Sequence, residues 1–361
     1  MKQWNFGALK WYDIMNETGN QKSEAITEVR SQKSEVGNLK SDVGGQITGQ
    51  NQTTACLLCP HHCRLKPGQK GRCHVRGNRE GEIVSLSYGE LAAWHLDPIE
   101  KKPLFHFHPG SRIFSVAGYG CNLSCNFCQN HEISQTHQVG KRVTPVELAE
   151  MARDSLGICF TYSEPTVWFE MIRDTVPLVR DRDGKVVLVS NGMIELDFLE
   201  QLIPWIDAVN IDIKGFREEF YRDHCGGKLA WVLETVQRLI GRVHLEITTL
   251  IIPGANDDPS EIRSLAKWLE KLEKPIAWHL SRYFPAYRSS IPPTSPQVLT
   301  RLGKIAKEFL PYVYLGNTVG GNTTFCPRCG SGVIYREREI QNLLHNGHCP
   351  TCNQLIFGIG L

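Results

Sequence analysis

The chain has 361 residues, 41% of them hydrophobic and 22% charged, with a formal net charge of +2. That length suits one large catalytic domain with small appendages, and the near-neutral charge gives no electrostatic reason for a nucleic-acid or anionic-membrane partner. The chain has no apolar run of the about 18 residues a membrane span needs, and the stretch from Met1 to Ile14 is too polar for the core of a signal peptide, so a cytoplasmic protein is expected.

The chain carries 13 cysteines. Cytosolic thiols stay reduced, so clustered cysteines in that setting point to metal ligands or catalytic groups rather than disulfides. All but Cys159 and Cys225 fall into three tight groups, and those two stand alone.

Taken in order, residues 16–54 are rich in Ser, Gly, Gln, Asn, Lys and Glu and contain no aromatic residue. Gln21-Lys22-Ser23-Glu24 returns as Gln32-Lys33-Ser34-Glu35, but the apolar residues are too few to fill a helical seam. Residues 1–54 therefore read as a disordered tail. Residues 55–110 follow as a four-cysteine segment, Cys56, Cys59, Cys63 and Cys73, with a linker over 82–110. From 111 to 318 apolar, β-rich runs at 113–117, 157–162, 185–191, 208–214, 244–252 and 277–283 alternate with helical stretches at 145–155, 166–179, 195–204, 228–241, 259–273 and 296–309. Such alternation predicts parallel strands covered by helices. The expected fold class is α/β, a partial (β/α)6 TIM-like barrel, with chemistry gathered at the C-terminal strand ends. Residues 319–361 form a second small cysteine module.

The central group is Cys121, Cys125 and Cys128 in the loop after the first predicted core strand, within Gly118-Tyr119-Gly120-Cys121-Asn122-Leu123-Ser124-Cys125-Asn126-Phe127-Cys128-Gln129-Asn130. A [4Fe–4S] cluster is usually held by four thiolates; three leave one iron open to another ligand. Gly118 and Gly120 let the backbone approach closely, and Phe127 can shield the site from water. A zinc loop completed by His131 is the alternative. This C-x3-C-x2-C spacing, with an aromatic before the last cysteine, resembles the signature of the radical S-adenosylmethionine (SAM) superfamily. The resemblance implies that SAM chelates the open iron and is split by one electron to a 5′-deoxyadenosyl radical, which abstracts hydrogen from a substrate. An electron donor of the flavodoxin or ferredoxin type is implied with it.

Further motifs fall at the strand ends. Tyr162-Ser163-Glu164-Pro165-Thr166 resembles the superfamily's Gly-Gly-Glu-Pro element, without its glycines, and places Glu164 near the SAM amino group; the alternative is a helix cap by Ser163. Ser190-Asn191-Gly192 and Asp212-Ile213-Lys214 resemble elements of the pyruvate formate-lyase activating enzymes, whose aspartate and lysine positions face SAM. Where that group has an acidic residue ahead of its Asn-Gly element, this chain has Val189. His279 and Arg282, at the end of the sixth run, are candidates to meet SAM or an anionic substrate.

Cys326-Pro327-Arg328-Cys329 and Cys349-Pro350-Thr351-Cys352 have the spacing of a zinc ribbon, with iron or a further cluster as the alternative. Cys56, Cys59, Cys63 and Cys73 suit zinc, with His61, His62 and His74 as spare ligands, or an auxiliary [4Fe–4S] cluster; zinc is the preferred reading. The motif order from residue 55 onward resembles the AmmeMemoRadiSam system radical SAM enzyme family, related to the pyruvate formate-lyase activating enzymes. That resemblance implies AMMECR- and Memo-type proteins as partners. The expected activity is that of a glycyl-radical activase acting on a partner protein. A radical SAM enzyme acting on a small molecule or another protein residue stands beside it, as does a non-catalytic cluster or zinc-binding protein.

Overall fold

The structure, a computed structural model, describes residues 52–318, 320, 322–337 and 339–361. The tail expected over 1–54 lies outside the described residues except at 52–54, where Thr54 already belongs to a short strand, Thr54–Ala55, paired with Arg64–Leu65.

The core is one eight-stranded sheet. Its strands are β1 (Ala93–Pro98), β2 (Arg112–Ala117), β3 (Gly157–Phe160), β4 (Lys185–Ser190), β5 (Ala208–Asp212), β6 (His244–Ile251), β7 (Ala277–Arg282) and β8 (Tyr312–Gly316). They lie in strict chain order, parallel throughout except for the antiparallel β1–β2 pair. When each new parallel strand is the neighbour of the last, every right-handed crossover turns the same way and lays its helix on the same face. The sheet then curls toward a barrel. Here β1 and β8 end the order without pairing to each other, so the barrel is partial.

The covering helices are α1 (Pro145–Met151), α2 (Phe169–Arg180), α3 (Leu196–Leu202), α4 (Leu229–Leu239), α5 (Pro259–Glu270) and α6 (Pro296–Ala306). Three open alike: Thr144, Asp258 and Ser295 each cap a helix whose first residue is proline. The cap oxygen takes an amide hydrogen that would otherwise lack a partner, and proline has none to satisfy at N1.

Six β/α units thus stand where alternation predicts them, but β1 and β8 were not anticipated. β1 falls in the stretch read as linker; it reads Ala-Trp-His-Leu-Asp-Pro and is mostly solvent-facing, so it carries no apolar run. Several predicted strands end sooner than their apolar runs. Residues 161–162, 191 and 213–214 are loop, which frees them for the site.

The concave face is filled rather than open. Ile113, Cys159, Val187 and Ala208 pack against Ile99, Leu104 and Phe107 of the segment entering β2. Glu246 of β6 is fully buried there. Its carboxylate accepts from the backbone amides of Phe105 and His106 and from the imidazoles of His244 and His279. Burial alone would raise its pKa, but these imidazole contacts hold it well below the usual carboxylate range. The C-terminal strands β9 (Thr324–Phe325), β10 (Gly332–Arg336) and β11 (Ile340–Asn342) form an antiparallel sheet, and Cys326, Val333, Ile334 and Cys349 pack on Tyr312 and Tyr314 of β8.

Candidate active site

All 13 cysteines are free thiols. The loop after β2 carries the central three and is fixed by four backbone bonds to three segments. Gly120 N donates to Ile133 O (2.8 Å), Ser124 N to Cys225 O (2.8 Å) and Asn126 N to His224 O (3.0 Å), while Asn126 O accepts from Arg288 N (2.9 Å). Two glycines are sterically required. A Cβ on Gly118 would stand 2.6 Å from the Trp168 ring; one on Gly120, at φ +92°, would stand 2.5 Å from Cys73 O. Phe127 is buried, its ring centroid 6.0 Å from that of Phe220.

Glu164 is the hub of one hydrogen-bonded group. It lies in the loop after β3 and is 2% exposed. Its Oε1 accepts from Thr166 N (3.0 Å) and Ser190 Oγ (2.8 Å), and its Oε2 from Asn191 N (2.8 Å). Burial pushes its pKa up against these donors. Glu164, not Ser163, is the side chain that caps the helical turn at Pro165; Ser163 Oγ donates instead to Gly118 O (2.7 Å). Asn191 carries the connection onward: its Nδ2 lies 2.8 Å from Asn122 Oδ1 and 3.5 Å from Cys121 Sγ. Asn122 Nδ2 in turn donates to Met193 O. Glu164, Ser190, Asn191 and Cys121 are thus one contiguous unit.

A second group forms at the end of β5. Lys214 Nζ is 2.9 Å from Asp212 Oδ2. Burial pulls the lysine pKa down, but Asp212 and the neighbouring sulfurs of Cys125 and Cys225 outweigh it and hold the ammonium well above its usual range. The loop is tied back by Asn256 Nδ2, which donates to Lys214 O (2.7 Å). Asn256-Asp257-Asp258 is otherwise the capping turn of α5.

Cys225, isolated in sequence, is buried in this group and contacts Cys125, whose pKa that hydrogen bond lowers. It ends a π-helical turn, Tyr221–Cys225, and is followed by Gly226 in the left-handed conformation. The Cys-Gly-Gly step at 225–227 is the sequence signal for it, because a glycine after a buried thiol lets one loop close on another.

His279 and Arg282 sit elsewhere. His279 Nε2 donates to Glu246 (2.7 Å), and its ring packs between Phe105 and Tyr314. Arg282 Nε donates to Thr294 O (2.6 Å), with its guanidinium over Phe284. Among the described residues, neither shares a hydrogen bond with the Glu164 or Lys214 groups.

At the C-terminal end the four sulfurs of Cys326, Cys329, Cys349 and Cys352 all lie within 4.8 Å of one another. Cys326 and Cys352 are 3.5 Å apart, and Cys329 and Cys349 3.6 Å. That is a closed four-thiol set for a single metal ion. The N-terminal four, Cys56, Cys59, Cys63 and Cys73, line one small cavity.

A family model described as the radical SAM superfamily matches residues 115–269, which contain the central cysteines, Glu164, Ser190, Asn191, Asp212 and Lys214 but not His279 or Arg282. An uncharacterized protein of Methanocaldococcus jannaschii is 38% identical over 317 residues, covering 83% of this chain and 94% of that one. A second protein of that organism, provisionally named a glycyl-radical enzyme activating enzyme, is 24% identical over 220 residues, 56% of this chain and 88% of its own. Among solved structures, a domain of pyruvate-formate lyase-activating enzyme from Bacteroides vulgatus matches with a TM-score of 0.41 at 17% identity, over 45% of this chain and 99% of that one. With that cysteine loop at the mouth of a partial (β/α)6 barrel, the chain belongs to the radical SAM superfamily.

Proposed function

We propose that the chain cleaves SAM reductively with a [4Fe–4S] cluster on Cys121, Cys125 and Cys128, and that the hydrogen it removes comes from a glycine of a partner protein. The observation that carries the first part is the contact run from Glu164 through Asn191 to Cys121. The cysteine loop fits the group: three thiols project from one loop, and Gly118 and Gly120 have no room for a side chain. When bound, the cluster and SAM supply one-electron cleavage of a sulfonium C–S bond.

This chain's residues then bind and orient. Among the described residues Glu164 Oε2 accepts from Asn191 N, and a carboxylate oxygen has lone-pair capacity for a further donor such as the SAM ammonium. Lys214 is held as a cation beside Cys125 and suits the SAM carboxylate. Asn191 donates toward the Cys121 sulfur and sets that ligand's orientation. His279 and Arg282 are kept as candidates for the substrate side of the barrel rather than for SAM.

The glycine substrate is supported by the provisional name of the 24% identical relative and by the Asp212-Ile213-Lys214 element. On the motif order we place the chain in the AmmeMemoRadiSam type, a cytoplasmic enzyme with a flavodoxin- or ferredoxin-class donor and AMMECR- and Memo-type partners. Zinc in the C-terminal quartet is supported by its sulfur spacing.

The test is anaerobic reconstitution, addition of dithionite and SAM, and quantification of 5′-deoxyadenosine beside Cys125→Ala. Product from the parent and none from the variant is expected. Absence of product from protein whose reduced cluster and bound SAM are visible by EPR would overturn the reading. A glycyl-radical EPR signal in a mixture with a partner protein tests the substrate, and product formation driven instead by a small molecule would replace it.

A further inference from the structure

The two flanking cysteine quartets differ in spacing. Among the described residues, the C-terminal quartet is the one group of three or more His, Cys, Asp or Glu whose ligand atoms all lie within 4.8 Å of one another. That suits a single ion, because Zn–S bonds of about 2.3 Å hold tetrahedral thiolates about 3.8 Å apart. Cys56, Cys59, Cys63 and Cys73 do not form such a single-ion group, yet all four line the same cavity. Four thiols around one shared space that do not close on a single ion suit the four corners of a cubane. The central trio likewise forms no single-ion group.

The nearby imidazoles do not favour zinc. His61 Nε2 donates to the backbone oxygen of Asn122 (2.9 Å), and His62 Nε2 pairs with Glu195 (2.8 Å). The cavity wall instead brings Arg72, and Arg76 in its ion pair with Glu170, to a site that would hold four thiolates. The segment is short of regular structure but closed by backbone bonds, Cys56 N to Cys63 O (2.9 Å) and Gly71 N to Arg76 O (2.8 Å).

We propose that Cys56, Cys59, Cys63 and Cys73 hold a second [4Fe–4S] cluster, ligated at all four irons and set against the loop of the central cysteines. The two loops touch directly: His61 bonds Asn122, and Gly120 abuts the Cys73 carbonyl. With no open iron, this cluster binds no SAM; its ligand class is iron and inorganic sulfide alone.

The full chain, reconstituted anaerobically with iron, sulfide and zinc all supplied, tests this by metal and sulfide analysis with Mössbauer spectroscopy. The parent is expected to hold about eight irons, and a triple Cys121→Ala, Cys125→Ala, Cys128→Ala variant about four with cluster-type spectra. Iron that disappears entirely from the triple variant, with zinc rising to two ions per chain, would overturn the second cluster and leave the central one standing. A triple variant that keeps the parent's full iron would instead sink the central reading. Should the triple variant not fold, Cys59→Ser,Cys63→Ser in the parent gives the same answer from the other side: half the iron lost supports the proposal, and unchanged iron with one zinc lost overturns it.

Discussion

Single side chains decide how the central cysteines are presented. Asn191 is one polar atom from Cys121 and one from Glu164 through its own backbone. Outer-shell partners of metal ligands typically carry about 10–100-fold in activity or affinity. Asn191→Ala is therefore expected to cut 5′-deoxyadenosine formation by about that factor while the chain still takes up its cluster. Cys225 touches Cys125, so Cys225→Ala should lower the cluster's reduction potential by removing a donor to a ligand sulfur, with Cys225→Ser restoring most of it. A redox titration followed by EPR reads this directly, and an unmoved potential would show the contact to be packing alone. The central trio was legible because its spacing is local. Cys225 was not, because only folding brings it to Cys125. His279 illustrates the opposite failure: a strand-end histidine reads as a ligand candidate, but its partner Glu246 lies on the neighbouring strand β6, 33 positions back, and no local pattern announces it.

At the scale of elements, the six β/α units were legible because each strand is an apolar run followed by an amphipathic helix, and at three of the helices a cap residue before proline marks the start chemically. β1 escaped because an edge strand buries little, and β8 because Tyr312–Gly316 is short and follows α6 so closely. The sequence marks the π-helical turn Tyr221–Cys225 only by the Cys-Gly-Gly step at its end, yet the turn supplies two of the carbonyls that hold the cysteine loop. Gly226 is its hinge, at φ 72°, and a Cβ there would stand 2.6 Å from Ser124 Oγ. Gly226→Ala should cost about 1–2 kcal/mol from backbone strain alone. It should also reduce iron uptake at the central site, measured by thermal unfolding and iron analysis of the same preparation.

For the whole molecule, stability is wired through the barrel interior. Arg336 donates to Thr324, Thr324 lies 2.8 Å from Tyr314, Tyr314 lies 2.6 Å from His106 Nε2, and His106 Nδ1 donates to Phe357 O. The run is consistent when each group donates to the next, which fixes His106 neutral with its hydrogen on Nδ1. Burial lowers its pKa to about 4. A histidine depressed in the folded state binds its proton first in the unfolded state, so its contribution is present above about 6.5 and is lost as pH falls toward 4. Glu246, depressed as a carboxylate, adds loss in the same direction at lower pH still. The melting temperature should therefore fall steadily below about pH 6.5, and His106→Leu should flatten that fall while lowering stability at neutral pH, where the Tyr314 hydroxyl loses its acceptor and Phe357 O its donor. A parallel pH profile in the variant would show that the acid sensitivity lies elsewhere.

The same inner segment has a consequence for the order in which the protein can be made. His108 N donates to Ile359 O and Ile359 N to His106 O, each at 2.8 Å, so residues 106–108 are zipped to the far end of the barrel's wrapping. His106 and its acceptor Phe357 are 251 positions apart. At ribosomal speeds of about 5–20 residues per second, that partner arrives roughly 13–50 s later. Strands can pair as they emerge, but the plug of the barrel sets only once residues 357–359 are delivered. A nascent chain stalled short of them leaves the His108 amide and His106 Nδ1 without their acceptors, and that turn of the plug stays open to proteases through the interval.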